Sequence, residues 1–124
     1  MADALVYGAG AVLIAWGAAH IFATSSVADS FGAISVDNRR ILVMEWVAEG
    51  VTHVSIGGLA ILLAALEDPA DPASRLVYRT LAGVLIAFAV LTSFTGARTP
   101  VIWFKACPFV LTGAAALLLV GSSL

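Results

Sequence analysis

Apolar residues fall into four long blocks, Ala4 to Phe22, Ile41 to Leu66, Leu76 to Phe94 and Val101 to Val120. Each is close to the ~20 residues, at ~1.5 Å per residue, that carry a helix across a bilayer core. The breaks between them are polar and stop helices. Ala23 to Arg40 reads as a loop with Thr24, Ser25 and Ser26 as a capping cluster, and Glu67-Asp68-Pro69-Ala70-Asp71-Pro72 combines acids with prolines. Gly96 to Pro100 is so short that the flanking helices must be antiparallel neighbours. The pattern predicts an all-α integral membrane protein, one transmembrane domain over residues 1–124, folded as an up-down-up-down four-helix bundle. The first block lacks a basic amino-terminal region and exceeds the apolar core of a cleaved signal, so it is expected to be retained.

Polar positions inside the blocks carry the functional signal. Glu45, Glu49 and His53 recur at i, i+4 and i+8. At ~100° per residue successive members drift by only ~40°, which makes one polar stripe ~12 Å long. A charged group at the bilayer centre costs at least ~2.5 kcal/mol, so this face is expected to turn inward. His20 ends the first block, Ser93 and Thr95 end the third, and Lys105 begins the fourth. Alternating helix directions bring all of them toward the end that holds the first and third loops. Ile61 to Leu66 and Ala114 to Val120 contain almost nothing polar. The expectation is a sealed apolar half and a polar cavity opening toward one membrane surface, with Arg39, Arg40 and Arg98 around its mouth. A channel would need polar lining throughout.

Composition supports lipid as the solvent: 61% of residues are hydrophobic, 11% are charged, and the mean hydropathy is +1.04. A soluble domain of this size has too little interior to hide that surface. The net charge is −2 with six dispersed basic residues, which leaves no patch for a nucleic-acid backbone and excludes that partner. The single cysteine, Cys107, excludes an internal disulfide, a CxxC pair and a thiolate zinc cluster, and reads as a small apolar filler. Arg39, Arg40, Arg98 and Lys105 at one end against Arg75 and Arg79 at the other place both termini outside a cytoplasmic (inner) membrane.

Carboxylates and an imidazole in an apolar cavity suit acid/base chemistry on a lipophilic small molecule: isomerisation, cyclisation or hydrolytic opening of a strained ring. Glu45, Glu49, His53, His20 and Lys105 are the candidate catalytic groups, with Glu49 bonded to His53 one turn on. Trp16, Trp46, Trp103, Ser93 and Arg98 are the candidate substrate contacts. The same groups would serve a proton-coupled transporter, and a non-catalytic membrane subunit is a third class. Glu45 with Lys105, or Glu49 with Arg98, also reads as a structural ion pair, and the tryptophans as interfacial anchors. No cofactor is expected. His20, Glu49 and His53 offer metal-ligand types, but the paired Glu-x-x-His motifs of di-iron bundles are absent. Pro108 is expected to kink the fourth helix and free the Phe104 carbonyl.

Two further features concern assembly. Val12-Leu13-Ile14-Ala15-Trp16 reappears as Val84-Leu85-Ile86-Ala87-Phe88, an offset of 72 that also aligns Phe22 with Phe94. Gly50 and Gly57 form a small-residue stripe that predicts close approach of another helix and hence a homo-oligomer. In size and span count the chain is similar to DoxX-like proteins, the small multidrug transporters and the glutathione-linked MAPEG enzymes, a resemblance of architecture alone. The small multidrug transporters use a glutamate in helix one, where this chain has none. The MAPEG pattern of basic residues, asparagine and glutamate in helix two is echoed by Arg39, Arg40 and Glu49 without the asparagine.

Overall fold

The computed structural model describes residues 1–124 and contains helices and no strand. The order is α1 (Ala2–Phe22), α2 (Thr24–Ser30), α3 (Val36–Leu66), α4 (Pro72–Phe94), a 3-10 turn at Gly96–Arg98, and α5 (Ile102–Gly121). The four long helices contain the four apolar blocks, and each is long and apolar enough to cross a membrane.

Two of them begin a full turn or more earlier than hydropathy predicts, because their first turns are polar and set by caps. Helix α3 starts at Val36 rather than Ile41: the Ser35 hydroxyl accepts a hydrogen bond from the Asn38 backbone N–H at 3.1 Å. Helix α4 starts at Pro72 rather than Leu76, with Asp71 accepting from the Ala73 N–H at 2.9 Å and proline in the first turn, where no backbone bond is forfeited. The segment expected as a loop contains α2. Thr24 does not cap it; its hydroxyl donates to the Ile21 carbonyl at 2.7 Å. An ion pair of 2.7 Å between Arg39 and Asp29 ties α2 to α3, and the chain reverses between them at Gly32, whose φ of +68° suits glycine.

Helices α1 and α3 meet through glycine. A Cβ at Gly17 would lie 2.5 Å from the Gly50 carbonyl oxygen, and one at Gly57 would lie 2.6 Å from that of Gly10. Position falls along one helix as it rises along the other, so the two run in opposite senses. This corrects the reading of Gly50 and Gly57 as a stripe for a second copy: they are filled by α1 of the same chain, because Gly10 and Gly17 repeat at the same seven-residue spacing.

The α3–α4 seam is built differently. The two backbones hardly approach, and large side chains fill the space: fully buried Tyr78 donates to the Ala60 carbonyl at 3.3 Å, and Phe88 packs edge-on to His53 at 5.6 Å. Helix α5 lies against α4 and α1, with Gly121 beside Ala2 and Val6. Arg75 of α4 donates to the carbonyls of Ser122 and Ala70, both at 3.0 Å, which ties α4 to the end of α5. Leu13, Leu85, Leu111 and Leu118 are fully buried in the core. The aligned residues Leu13 and Leu85 thus have equivalent burial, yet α1 packs closely on α5 while α4 hardly reaches α3, so the two halves are not equivalent. Pro108 is accommodated within α5 without ending it.

Candidate functional site

A cavity of about 620 Å³ opens at the end of the molecule that holds the α1–α3 and α4–α5 connections. Helix α1 supplies Trp16 and His20, α2 supplies Ser26, Val27 and Ser30, α3 supplies Trp46 and Glu49, α4 supplies Thr92, and α5 supplies Phe104 and Cys107. Trp103 lines the rim and is 69% exposed.

His20 is the hub. It lies in the last turn of α1, one turn beyond Gly17, where glycine contact draws α1 onto α3, and so it meets Trp46 and Glu49 in the turn that leads to Gly50. Its ring stacks on Trp46 with centroids 4.5 Å apart and planes 19° from parallel, and is tilted by 56° to Trp16 at 5.9 Å. The Trp46 indole N–H donates to the His20 carbonyl at 2.7 Å, which satisfies a group at the frayed end of α1. Nε2 of His20 lies 3.7 Å from Oε1 of Glu49, a charge contact rather than a hydrogen bond. No protein donor hydrogen-bonds either Glu49 carboxylate oxygen.

His53 is fully buried behind His20, edge-on to it at 5.6 Å. Neither of its ring nitrogens has a protein partner, so the expected bond from Glu49 to His53 is not made; Glu49 faces His20 instead. The Trp16 indole N–H is likewise buried without an acceptor. His20, Glu49 and His53 do not converge as ligands on one ion.

The other expected residues lie apart. Glu45, Ser93, Arg98 and Lys105 are exposed and do not line the cavity. The stripe from Glu45 to His53 spans about 80° of arc, and burial of His53 at one edge turns Glu45 outward. Ser93 donates to the Ala89 carbonyl at 2.7 Å, and the Arg98 guanidinium lies over the Phe94 ring at 5.6 Å. Neither the Glu45–Lys105 nor the Glu49–Arg98 pair forms. The expected basic mouth is also absent, since Arg39 pairs with Asp29, Arg40 pairs with Asp37, and neither lines the cavity.

Sequence reading missed α2 as a wall, together with Thr92, Phe104 and Cys107. The available signal was the i, i+4 spacing of Ser26 and Ser30 around Val27. Cys107, read as filler, is buried at the cavity wall. No family model matches the chain, and no curated protein or solved structure matches it significantly.

Proposed function

We propose that the chain is an up-down-up-down four-helix bundle inserted in a cytoplasmic membrane, and that it is an acid/base enzyme acting on a lipophilic small molecule in this cavity. The observation that carries the reading is the placement of His20 and Glu49, 3.7 Å apart, on the wall of an otherwise largely apolar and aromatic cavity. An imidazole beside a carboxylate can donate and accept a proton while the carboxylate orients the ring for the exchange. His20 would exchange the proton with substrate and Glu49 would hold the imidazole. His53 lies edge-on behind His20 with no protein bond of its own, a second imidazole beside the pair. The far half of the bundle, closed around Tyr78, Leu85, Leu111 and Leu118, favours a blind cavity over a conducting path.

The test uses purified protein in detergent, without any gradient, incubated with a panel of lipophilic epoxides, enones and polyenes and followed by mass spectrometry. Conversion by the parent that falls by about a hundredfold or more in Glu49→Gln and His20→Gln, with helicity unchanged, is the expected result. Gradient-driven accumulation in sealed vesicles without conversion in detergent would replace this reading with transport.

A further inference from the structure

Glu49 is the only acidic residue on the cavity wall, and no lysine or arginine lines it. The basic residues expected at the mouth are occupied elsewhere, Arg39 and Arg40 by carboxylates and Arg98 by the Phe94 ring. Around this carboxylate, whose one polar side-chain neighbour is His20 at 3.7 Å, stand aromatic rings at inclined angles. Trp46 and Phe104 have centroids 5.5 Å apart with planes at 56°, and Trp16 and Trp103 extend the wall. Inclined aromatic faces with one carboxylate form the arrangement that holds an organic cation: ring quadrupoles attract the diffuse charge, the carboxylate neutralises it, and lipophilic substituents fill the remaining volume. Either Glu49 oxygen is open to such a partner, because no protein donor hydrogen-bonds it. A lipophilic anion meets no guanidinium or ammonium here; His20 is the one basic group on the wall, and Glu49 already stands 3.7 Å from it.

We infer that the cavity selects lipophilic organic cations, such as quaternary ammonium compounds or hydrophobic amines in their protonated form, with Glu49 as counter-charge and Trp46, Phe104 and Trp103 as the aromatic cage. This rests on the reading of the cavity as a lipophilic-ligand site and names the class of molecule it takes.

The experiment compares two ions of the same shape and opposite charge, tetraphenylphosphonium and tetraphenylborate, added to the full chain in non-ionic detergent. Binding is measured by equilibrium dialysis against protein-free micelles, and occupancy of this cavity by protection of Cys107, the only cysteine, from maleimide alkylation. Tetraphenylphosphonium should bind saturably and slow Cys107 alkylation, while tetraphenylborate does neither. Glu49→Gln should weaken the cation roughly tenfold and Trp103→Leu roughly threefold. Glu49→Asp, which keeps the charge, should retain the preference for the cation and guards against a loss caused by misfolding. Equal protection by both ions, or unchanged cation affinity in a folded Glu49→Gln protein, overturns the cation selectivity and leaves a charge-indifferent lipophilic cavity intact. Failure of both ions to protect Cys107 overturns this inference alone, since the neutral lipophilic panel tests the cavity separately.

Discussion

A neutral imidazole carries one donor and one acceptor, and His53 has both buried without a protein partner. Each such group costs about 1–3 kcal/mol of stability. Glu49, four residues earlier on the helix, does not relieve the cost, because it is turned to His20 across the α1–α3 contact. Replacement of His53 by Leu removes both polar atoms and leaves a side chain suited to its neighbour Phe88. His53→Leu is therefore expected to raise the midpoint of thermal unfolding in detergent by a few degrees while lowering any proton-transfer activity, the exchange of stability for function seen where a strained group is retained for chemistry. A lowered midpoint would show that the imidazole is held by bonds that Leu cannot make. The sequence marked His53, Glu49 and His20 as polar groups in apolar surroundings, since desolvation cost depends only on residue type and depth. It did not mark which pair would face each other, because a one-residue rotation of a helix changes the partner and is set by packing on neighbouring helices.

At the scale of elements, the alignment of His20 with Glu49 depends on how closely α1 and α3 approach. Gly17 and Gly50 fix that distance one turn away, and a Cβ at Gly17 would meet the Gly50 oxygen at 2.5 Å and the Val54 side chain at 2.9 Å. Gly17→Ala must separate the two backbones, at a cost of about 1–3 kcal/mol. Gly83→Ala on α4 has open space around the new methyl and should be neutral or slightly stabilising through helix propensity. Thermal unfolding of the two variants measures the difference, and equal midpoints would show that the glycine contact is not tight. The four long helices were legible as hydropathy because each contains an apolar stretch long enough to cross a bilayer. Their polar first turns were not, since Val36 to Arg40 and Pro72 to Arg75 are set by caps at Ser35 and Asp71 rather than by lipid. Helix α2 has seven residues and no side-chain cap, too weak a local signal to separate from a loop; it is retained by packing on α3 and the Asp29–Arg39 pair. The glycines were legible as sites of close approach, but a small residue does not say whether the helix it admits belongs to the same chain.

For the whole molecule, the proposed topology makes the two ends of the bundle chemically distinguishable. One end carries the α1–α3 and α4–α5 connections and the open cavity; the other carries the acidic α3–α4 connection, Arg75 and both termini. At the end with the termini α1 and α5 pack together, with Gly121 against Ala2 and Val6, Ser122 fully buried and Arg75 joining the Ser122 and Ala70 carbonyls, and an open recess lies outside that packing between Ala2, Leu66 and Leu124. A chain that crosses the bilayer four times must therefore present Ser30 and Ala97 on one side and Glu67 and Ser123 on the other. Single cysteines placed at these four positions in a Cys107→Ala background, in sealed vesicles treated with a membrane-impermeant maleimide, should label as two sets. Ser30→Cys and Ala97→Cys react from one side, and Glu67→Cys and Ser123→Cys only after the vesicles are opened or inverted. Labelling of Ser30→Cys and Glu67→Cys from the same intact side would refute the topology. In the parent protein a small charged thiol reagent should reach Cys107 from the Ser30 side alone, because the cavity wall that holds it opens there and the packed core closes the other direction.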